Sequence, residues 1–211
     1  MADADGPIAT DDQSDADGRS LRRERNREAV IDALVELIHE GNLEPGAKQI
    51  AERAGVSHRS VFRYFEDMTD LAETAVRREF AAAAELAAIP QPSSDSLAAR
   101  IDALVESRFQ LYRAVANATL VARQQATRYP RINDEMAALA NVLRSELIDY
   151  FAPELTGCDE PTTIAIADTV MTLTSFDGWD LARRVYQYHD EQIRRSWSTA
   201  LDVLLSNAAS R

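Results

Sequence analysis

The sequence has very little cysteine and histidine. Its 211 residues include one cysteine, Cys158, which cannot form an internal disulfide and has no metal-ligand spacing around it. The three histidines, His39, His58 and His189, are far apart, and the chain contains no phosphate-cradling glycine loop and no nucleophile elbow. We therefore expect no metal site, no cofactor and no catalytic residues, which argues against an enzyme.

Long apolar runs are absent as well. A membrane-spanning helix requires roughly 18 consecutive apolar residues, and no stretch of the chain approaches that length. The first eighteen residues contain six Asp and neither Lys nor Arg, which is unlike a secretory signal. The sequence therefore predicts a cytoplasmic protein without a membrane segment, in which residues 1–18 form a disordered acidic tail.

Positive charge is scarce overall but locally concentrated. The net charge is −12, and residues 1–18 contribute half of it, whereas residues 19–80 hold 11 basic and 12 acidic side chains. The basic residues of this second segment form two clusters: Arg19, Arg22, Arg23, Arg25 and Arg27, and then Lys48, Arg53, Arg59 and Arg63. Two such clusters indicate a surface that faces nucleic-acid phosphates, and a solvated helix start is the alternative for the first.

Helical periodicity is the strongest positive feature. Apolar residues recur three and four positions apart, and no run alternates apolar and polar residues as an exposed strand would, so the predicted fold class is all-α. In the first part of the chain, helices are predicted over about 20–40, Ala47–Ala54, His58–Phe65 and about 68–88.

The segment Pro90 to Asp95 divides the chain, because its prolines and small polar residues cannot continue a helix. Helical stripes follow it, and one of them begins at Met136 and Leu139. The last two long helices are predicted over about 161–186 and 190–208.

Two short predicted helices surround the turn Gly55-Val56-Ser57 and match a helix-turn-helix. Glycine permits the tight turn, the Ser57 hydroxyl can cap the next helix, and the small residues Ala51 and Ala54 let the helices approach closely. In this motif the second helix enters the major groove of double-stranded DNA. A helical hairpin without a DNA role is the alternative.

The predicted recognition helix has a buried side and an exposed side. Val61 and Phe65 lie four residues apart and are expected to face the core. The predicted DNA-binding residues are Lys48, Ser57, His58, Arg59, Ser60, Arg63 and Tyr64. Arg59 and Arg63 can pair with guanine bases, whereas Tyr64 and Lys48 suit contact with phosphates.

At these residues the chain resembles the TetR family of bacterial regulators. The match consists of Ile-Ala-Glu-Arg-Ala-Gly-Val-Ser over 50–57 and Val-Phe-Arg-Tyr-Phe over 61–65, with Leu71 soon after. It extends over the predicted helix-turn-helix together with the amphipathic helix before it. The departures from the family pattern are Phe62 in place of Tyr, Met68 in place of Lys, and Gly46 in place of Thr or Ser.

The resemblance implies a homodimeric transcriptional repressor that binds a palindromic operator in double-stranded DNA and is released by a small-molecule effector. It implies a helix-turn-helix domain at 19–66, a connecting helix at 67–88 and a helical ligand-binding and dimerisation domain at 89–211. A DNA-binding regulator without a small-molecule inducer, either controlled by a protein partner or architectural, is the alternative that the sequence leaves open.

The second domain contains candidate residues for both implied roles. The dimer interface is expected at Trp197, Leu201, Leu204 and Leu205, and a place in the protomer's own core is the alternative. The expected ligand-binding residues are Arg108 and Asp177 as polar anchors and Phe109, Tyr112, Phe176 and Trp179 as aromatic lining. The alternative is that Arg108 and Asp177 pair with each other or lie at the edge of an apolar helix face, and that the aromatic residues pack in the hydrophobic core.

Overall fold

The computed structural model describes residues 11–92, 94–126 and 141–210. Every regular element in these ranges is an α-helix, which confirms the all-α prediction. The helices are α1 (Asp11–His39), α2 (Ala47–Ala54), α3 (His58–Tyr64), α4 (Met68–Ala82), α5 (Ala84–Ala87), α6 (Leu97–Ala126), α7 (141–150), α8 (Ala152–Leu155), α9 (Glu160–Leu173), α10 (Phe176–Arg184) and α11 (Asp190–Ala209). None of these is both long and apolar enough to cross a membrane. Residues 1–10 of the predicted tail and the stripe residues Met136 and Leu139 lie outside the described residues.

The chain divides into two compact units, and the division lies within α4. We call Met1–Arg78 the N-terminal unit and Glu79–Arg211 the C-terminal unit. The division falls inside the segment 67–88 that the sequence assigns to a connecting helix. The first turns of α4 belong to the N-terminal core, because Leu71 and Ala75 are fully buried there.

The core of the N-terminal unit is apolar and is built by α1 to α4. The helical spacing of Val30, Leu34 and Ile38 places these side chains on one buried face of α1. The other buried residues of this core include Ile50, Ala51, Val61, Phe65, Leu71 and Ala75. Because α1 packs against both α2 and α3, this core fixes the position of the helix-turn-helix.

The first helix is longer than predicted. It begins at Asp11, inside the segment 1–18 that the sequence assigns to a disordered tail. Carboxylates are favourable in the first turn of a helix, because the N–H groups there are unpaired and the helix dipole is positive. An acidic segment is therefore compatible with a helix start, and charge composition alone does not distinguish the two.

The predicted helix over 68–88 is divided in two. Ala83 leaves helical geometry, with φ −92° and ψ 2°, and α5 follows it. The sequence shows no sign of this break, because the segment is rich in alanine, which favours helix. After the break α5 packs against α6, and Ile89 is buried in the core of the C-terminal unit.

The predicted helix over 161–186 is also divided in two. The Ser175 hydroxyl accepts a hydrogen bond from the Gly178 N–H at 3.1 Å and caps α10, while α9 ends at Leu173. A Cβ at Gly178 would lie 3.1 Å from the Leu173 carbonyl oxygen, so a residue without a side chain suits this close approach. Apolar residues at helical spacing continue across the break and obscured it in the sequence, although one of them, Leu181, is 43% exposed.

The C-terminal unit is built around α6. This helix packs against α5, α10 and α11, and α11 also packs against α8 and α9. Phe109 on α6 and Trp197 on α11 meet edge to face, with ring centroids 5.4 Å apart. Large buried side chains of this core include Leu104, Phe109, Phe151, Trp179, Ile193, Trp197, Leu201 and Leu205.

Candidate nucleic-acid interface

The turn between α2 and α3 has the geometry that its sequence predicts. Gly55 adopts the left-handed conformation, with φ 66° and ψ 27°, which favours glycine because it has no Cβ. The Val56 N–H then donates to the Ala51 carbonyl oxygen at 3.0 Å, which closes the end of α2. This turn ends α2 at Ala54 and lets α3 start at His58, as predicted.

Ser57 and Ser60 are bonded to each other rather than free. The Ser57 hydroxyl accepts from the Ser60 N–H at 3.2 Å, which is the N-cap that the sequence predicts. The two hydroxyl oxygens lie 2.8 Å apart. Of the predicted DNA-binding residues, these two therefore already serve to start α3.

The inner side of α3 anchors it to the core. Val61 is 1% exposed, and Phe65, which follows the last residue of the helix, is 3% exposed. The Arg27 guanidinium lies over the Phe65 ring at 5.0 Å, so α1 covers this anchor with a cation. With these side chains buried, the outer side of α3 is left to solvent.

The exposed residues of α3 include one that the sequence analysis did not select. His58, Arg59, Phe62 and Arg63 are all exposed, and Phe62 retains 46% of its surface. The His58 and Phe62 rings form an edge contact with centroids 5.2 Å apart. The spacing of Val61 and Phe65 already places Phe62 on the outer side of α3. Phe62 was not among the predicted DNA-binding residues because it is apolar.

Tyr64 is hydrogen-bonded to α1, and Arg63 is hydrogen-bonded to Tyr64. The Arg63 guanidinium donates to the Tyr64 hydroxyl oxygen at 2.7 Å and lies over the Tyr64 ring, and Asn26 Nδ2 donates to the same oxygen at 3.3 Å. Burial raises the pKa of Tyr64, but these two hydrogen bonds and the charges of Arg63 and Arg23 outweigh it, so its pKa lies below the ordinary value. The side chain of Tyr64 thus lies in a positive environment that joins α3 to the basic start of α1.

The remaining cations of the second basic cluster differ in availability. Arg53 donates to the carboxylates of Glu36 and Glu40 at 2.9 to 3.3 Å, which withdraws it from phosphate contact. Lys48 is highly exposed and makes one loose ion pair with Glu52 at 3.8 Å. Arg59 has no hydrogen bond or ion pair in the described part of the chain, so it is the arginine of α3 that is free to reach a base.

The comparisons with known proteins agree with this geometry. Residues 30–75, which include the whole of α2 and α3, match the family model of the bacterial regulatory proteins of the tetR family. Over this segment the chain is similar to the TetR family. The match ends at α4, so the C-terminal unit is compared through structure alone.

Several solved structures share the fold over most of the chain. A TetR-family transcriptional regulator from Streptomyces coelicolor aligns with a TM-score of 0.70 at 15% identity, covering 89% of this chain and 83% of that one. A putative TetR-family regulator from Rhodococcus sp. aligns at 0.62 with 22% identity, covering 86% and 99%. The multidrug binding protein EbrR, solved with imidazole, aligns at 0.56 with 20% identity, covering 84% and 92%. No curated protein matches the sequence.

The predicted effector-binding residues of the C-terminal unit fall into three different environments. Phe109 is fully buried in the core, and Asp177 is exposed and ion-paired with Arg123. Arg108 is buried and donates to the Ala87 carbonyl oxygen at 3.0 Å, so Arg108 and Asp177 do not pair with each other.

Three predicted aromatic residues do lie together. Tyr112 contacts the Phe176 and Trp179 rings at centroid distances of 5.7 and 5.9 Å, and we call these three residues the aromatic cluster. The Tyr112 hydroxyl donates to the Thr174 carbonyl oxygen at 2.5 Å, and burial raises the pKa of Tyr112 to about 12. Arg123 and Arg183 were not among the predicted residues, and their guanidinium groups lie over Phe176 and Trp179 at 5.6 and 4.5 Å.

The residues predicted for the dimer interface lie in the core of the protomer, which is the alternative that the sequence left open. Trp197, Leu201 and Leu205 are at most 4% exposed within a single protomer, and Leu204 is half-buried against the same core. They pack inward because this face of α11 lies against α6, α8 and α9. Helical spacing identified an apolar face correctly, but it could not tell a face that meets the protomer's own helices from one that meets a partner. The outer face of α11 carries exposed Ser196, Ala200, Val203 and Asn207.

Proposed function

We propose that this chain is a homodimeric repressor of the TetR type, which binds a palindromic DNA operator through α3 and leaves it when a small molecule binds the C-terminal unit. The DNA-binding part of this proposal rests on one observation. The helix α3 is capped by Ser57, anchored by Val61 and Phe65, and otherwise exposed, so a short rigid helix presents Arg59 to the solvent. A helix of this kind fits the major groove of DNA.

Arg59 and Tyr64 take different parts in this proposal. Arg59, free of internal partners among the described residues, donates to a guanine in the major groove and supplies sequence preference. Tyr64 contacts a phosphate. Its hydroxyl oxygen accepts two internal hydrogen bonds, from Asn26 and Arg63, so its own proton remains available for a phosphate oxygen.

Arg63 is expected to exchange partners on binding. In the free protein its guanidinium lies against Tyr64, and the electrostatic attraction of a phosphate or the acceptors of a guanine compete with that neutral hydroxyl. Lys48 and the exposed Arg22, Arg23 and Arg25 add phosphate contacts that do not depend on sequence.

The proposal includes a dimer because one short helix reads too few base pairs for useful specificity. In the C-terminal unit, exposed apolar side chains follow the end of α10 and the outer face of α11: Leu181, Val185, Tyr186, Tyr188 and Val203. We place the contact with the second copy there, instead of at the buried residues of α11. Effector binding is supported by the aromatic cluster and by the similar fold of EbrR, which is described as a multidrug binding protein.

The test begins with selection of sequences from random double-stranded DNA by the purified wild-type chain, followed by binding titrations at fixed salt. We expect an enriched palindrome. The Arg59→Ala variant should lose roughly 5- to 150-fold in discrimination against a changed guanine, which corresponds to about 1 to 3 kcal/mol. The control is Arg195→Ala, since Arg195 is exposed on α11 in the other unit. No enriched palindrome, or equal discrimination by wild type and Arg59→Ala, would contradict the proposal.

A further inference from the structure

Two arginines on α6 are buried in contrasting ways. Arg100 is 9% exposed and is ion-paired with the buried carboxylate of Glu154. Arg108, two turns further along the same helix, is 3% exposed and donates to the Ala87 carbonyl oxygen. No carboxylate of the described residues lies within ion-pair distance of Arg108. A buried guanidinium without a counterion is costly, and proteins normally pair such a group.

The surroundings of Arg108 contain a buried donor without an acceptor. Tyr112 follows Arg108 by one helical turn, and the charge of Arg108 acts on its hydroxyl. Tyr112 in turn contacts Trp179, whose indole Nε1 is buried and has no hydrogen-bond partner in the structure. Buried polar groups are usually hydrogen-bonded, so an indole N–H without an acceptor and a guanidinium without a counterion in one region indicate a missing acceptor.

The arginines near the aromatic cluster differ in whether a carboxylate neutralises them. The guanidinium groups of Arg123 and Arg183 lie over rings of the cluster, and they are ion-paired with Asp177 and Asp190. Arg113 pairs with Asp190 as well. Of these arginines and Arg108, only Arg108 has no carboxylate partner among the described residues, which favours an anionic occupant beside it.

We propose that the effector is a monoanionic carboxylate with an apolar body, which gives Arg108 its counterion, accepts from Trp179 Nε1 and rests its apolar part on the aromatic cluster. This inference rests on the ligand-gated function proposed above and names the chemical class of that ligand. A carboxylate matches the fork of a guanidinium with two parallel hydrogen bonds. A phosphate dianion fits less well, because a single buried guanidinium leaves one of its charges without a partner in apolar surroundings.

The inference is tested with matched probes on the full chain. Phenylacetate and octanoate are compared with phenylacetamide and octanamide, which share the apolar body and lack the charge, by thermal shift and by release of the selected operator. We expect the carboxylates to raise Tm and release DNA and the amides to do neither. Arg108→Gln keeps a donor for Ala87 and removes the charge, so it should weaken carboxylate binding about tenfold or more. Arg195→Gln is the matched control and should bind as wild type does.

The wild-type comparison alone overturns the inference if amides act as strongly as carboxylates, or if no carboxylate shifts Tm. Should Arg108→Gln fail to fold, Trp179→Phe replaces it, because that change removes only the indole donor and should weaken carboxylate binding severalfold. Unchanged carboxylate affinity in either variant also counts against the assignment. Release of DNA by amides alone would refute the carboxylate and leave the proposed repressor intact, whereas absence of operator binding would refute the repressor itself.

Discussion

The two units of the chain place their charged groups differently. In the N-terminal unit the core is apolar and the ion pairs lie at the surface, as Arg53 with Glu40 and Arg78 with Asp32 illustrate. In the C-terminal unit the core contains Arg100, Arg108 and Glu154, each at most 9% exposed. A surface of exposed cations suits a large, solvated polyanion such as DNA, while buried polar groups suit a small ligand that leaves water when it binds.

This contrast has an energetic meaning. Surface ion pairs contribute little to folding because water already solvates their charges. Buried charged groups must be compensated inside the protein, so loss of one partner leaves an uncompensated charge in the core. The C-terminal unit should therefore be much more sensitive to single charge-removing substitutions than the N-terminal unit.

The largest effect is expected for Glu154→Ala, which leaves Arg100 buried without its carboxylate. We expect the free energy of unfolding to fall by about 4 kcal/mol, measured by urea denaturation. The double replacement Arg100→Met with Glu154→Met should recover much of that loss, because no charge then remains buried. Glu40→Ala, which breaks an exposed pair with Arg53 in the other unit, serves as the comparison and should have a small effect. If Glu154→Ala and Glu40→Ala lowered the free energy of unfolding by similar amounts, the expected difference between the units would be contradicted.

A smaller loss, about 3 kcal/mol, is expected for Phe65→Ala in the N-terminal unit, because a buried aromatic anchor is replaced by a cavity. Phe62→Ala, three residues earlier on the exposed side of α3, should change stability by no more than about 0.5 kcal/mol. Circular dichroism during denaturant unfolding measures both. A large loss for Phe62→Ala would mean that the exposed face of α3 has a structural role.

Two tyrosines, one in each unit, should change the stability of the protein with pH in opposite directions. Tyr112 has a pKa raised to about 12, so the folded state disfavours its ionised form. Its contribution to stability is complete below pH 10 and is lost as the pH rises from 10 through 12. The pKa of Tyr64 is lowered, so its contribution is present above pH 10 and is lost as the pH falls through its folded pKa. Absorbance titration of wild type, Tyr64→Phe and Tyr112→Phe assigns the two groups. Coincident titration of both tyrosines near pH 10 would contradict this assignment.

The sequence predicts more of the structure of the N-terminal unit than of the C-terminal unit. In the N-terminal unit, Gly55 and Ser57 act through local geometry that short-range rules describe, and the turn and the cap are found as predicted. The partners of Arg63 and Arg53 were not predictable in this way, because Asn26, Glu36 and Glu40 are brought to them by the packing of α1.

In the C-terminal unit the sequence predicts helices but not their partners. Apolar spacing identified Trp197 and Leu201 as one face of α11, yet which helix that face meets is decided by tertiary packing. The break at Ala83 has no local signal at all, and the break at Ser175 was hidden by apolar neighbours although Ser175 is a good N-cap residue. Arg108 was selected as a polar residue on an apolar stripe, and its burial without a counterion became visible only in the folded unit.

The smallest effect compares two serine caps, one in each unit. Ser57 caps α3 and Ser175 caps α10 through hydrogen bonds of 3.2 and 3.1 Å to backbone N–H groups. Replacement of either by alanine should cost about 1 kcal/mol of stability, because one N–H at the helix start loses its acceptor. The two variants should differ in function: Ser57→Ala loosens the start of the DNA-reading helix and should weaken operator binding, whereas Ser175→Ala should leave binding of DNA unchanged in the absence of effector. Thermal unfolding and operator titration on the same samples make the comparison. Equal weakening of DNA binding by both would show that the cap of α3 acts through global stability and not through the reading surface.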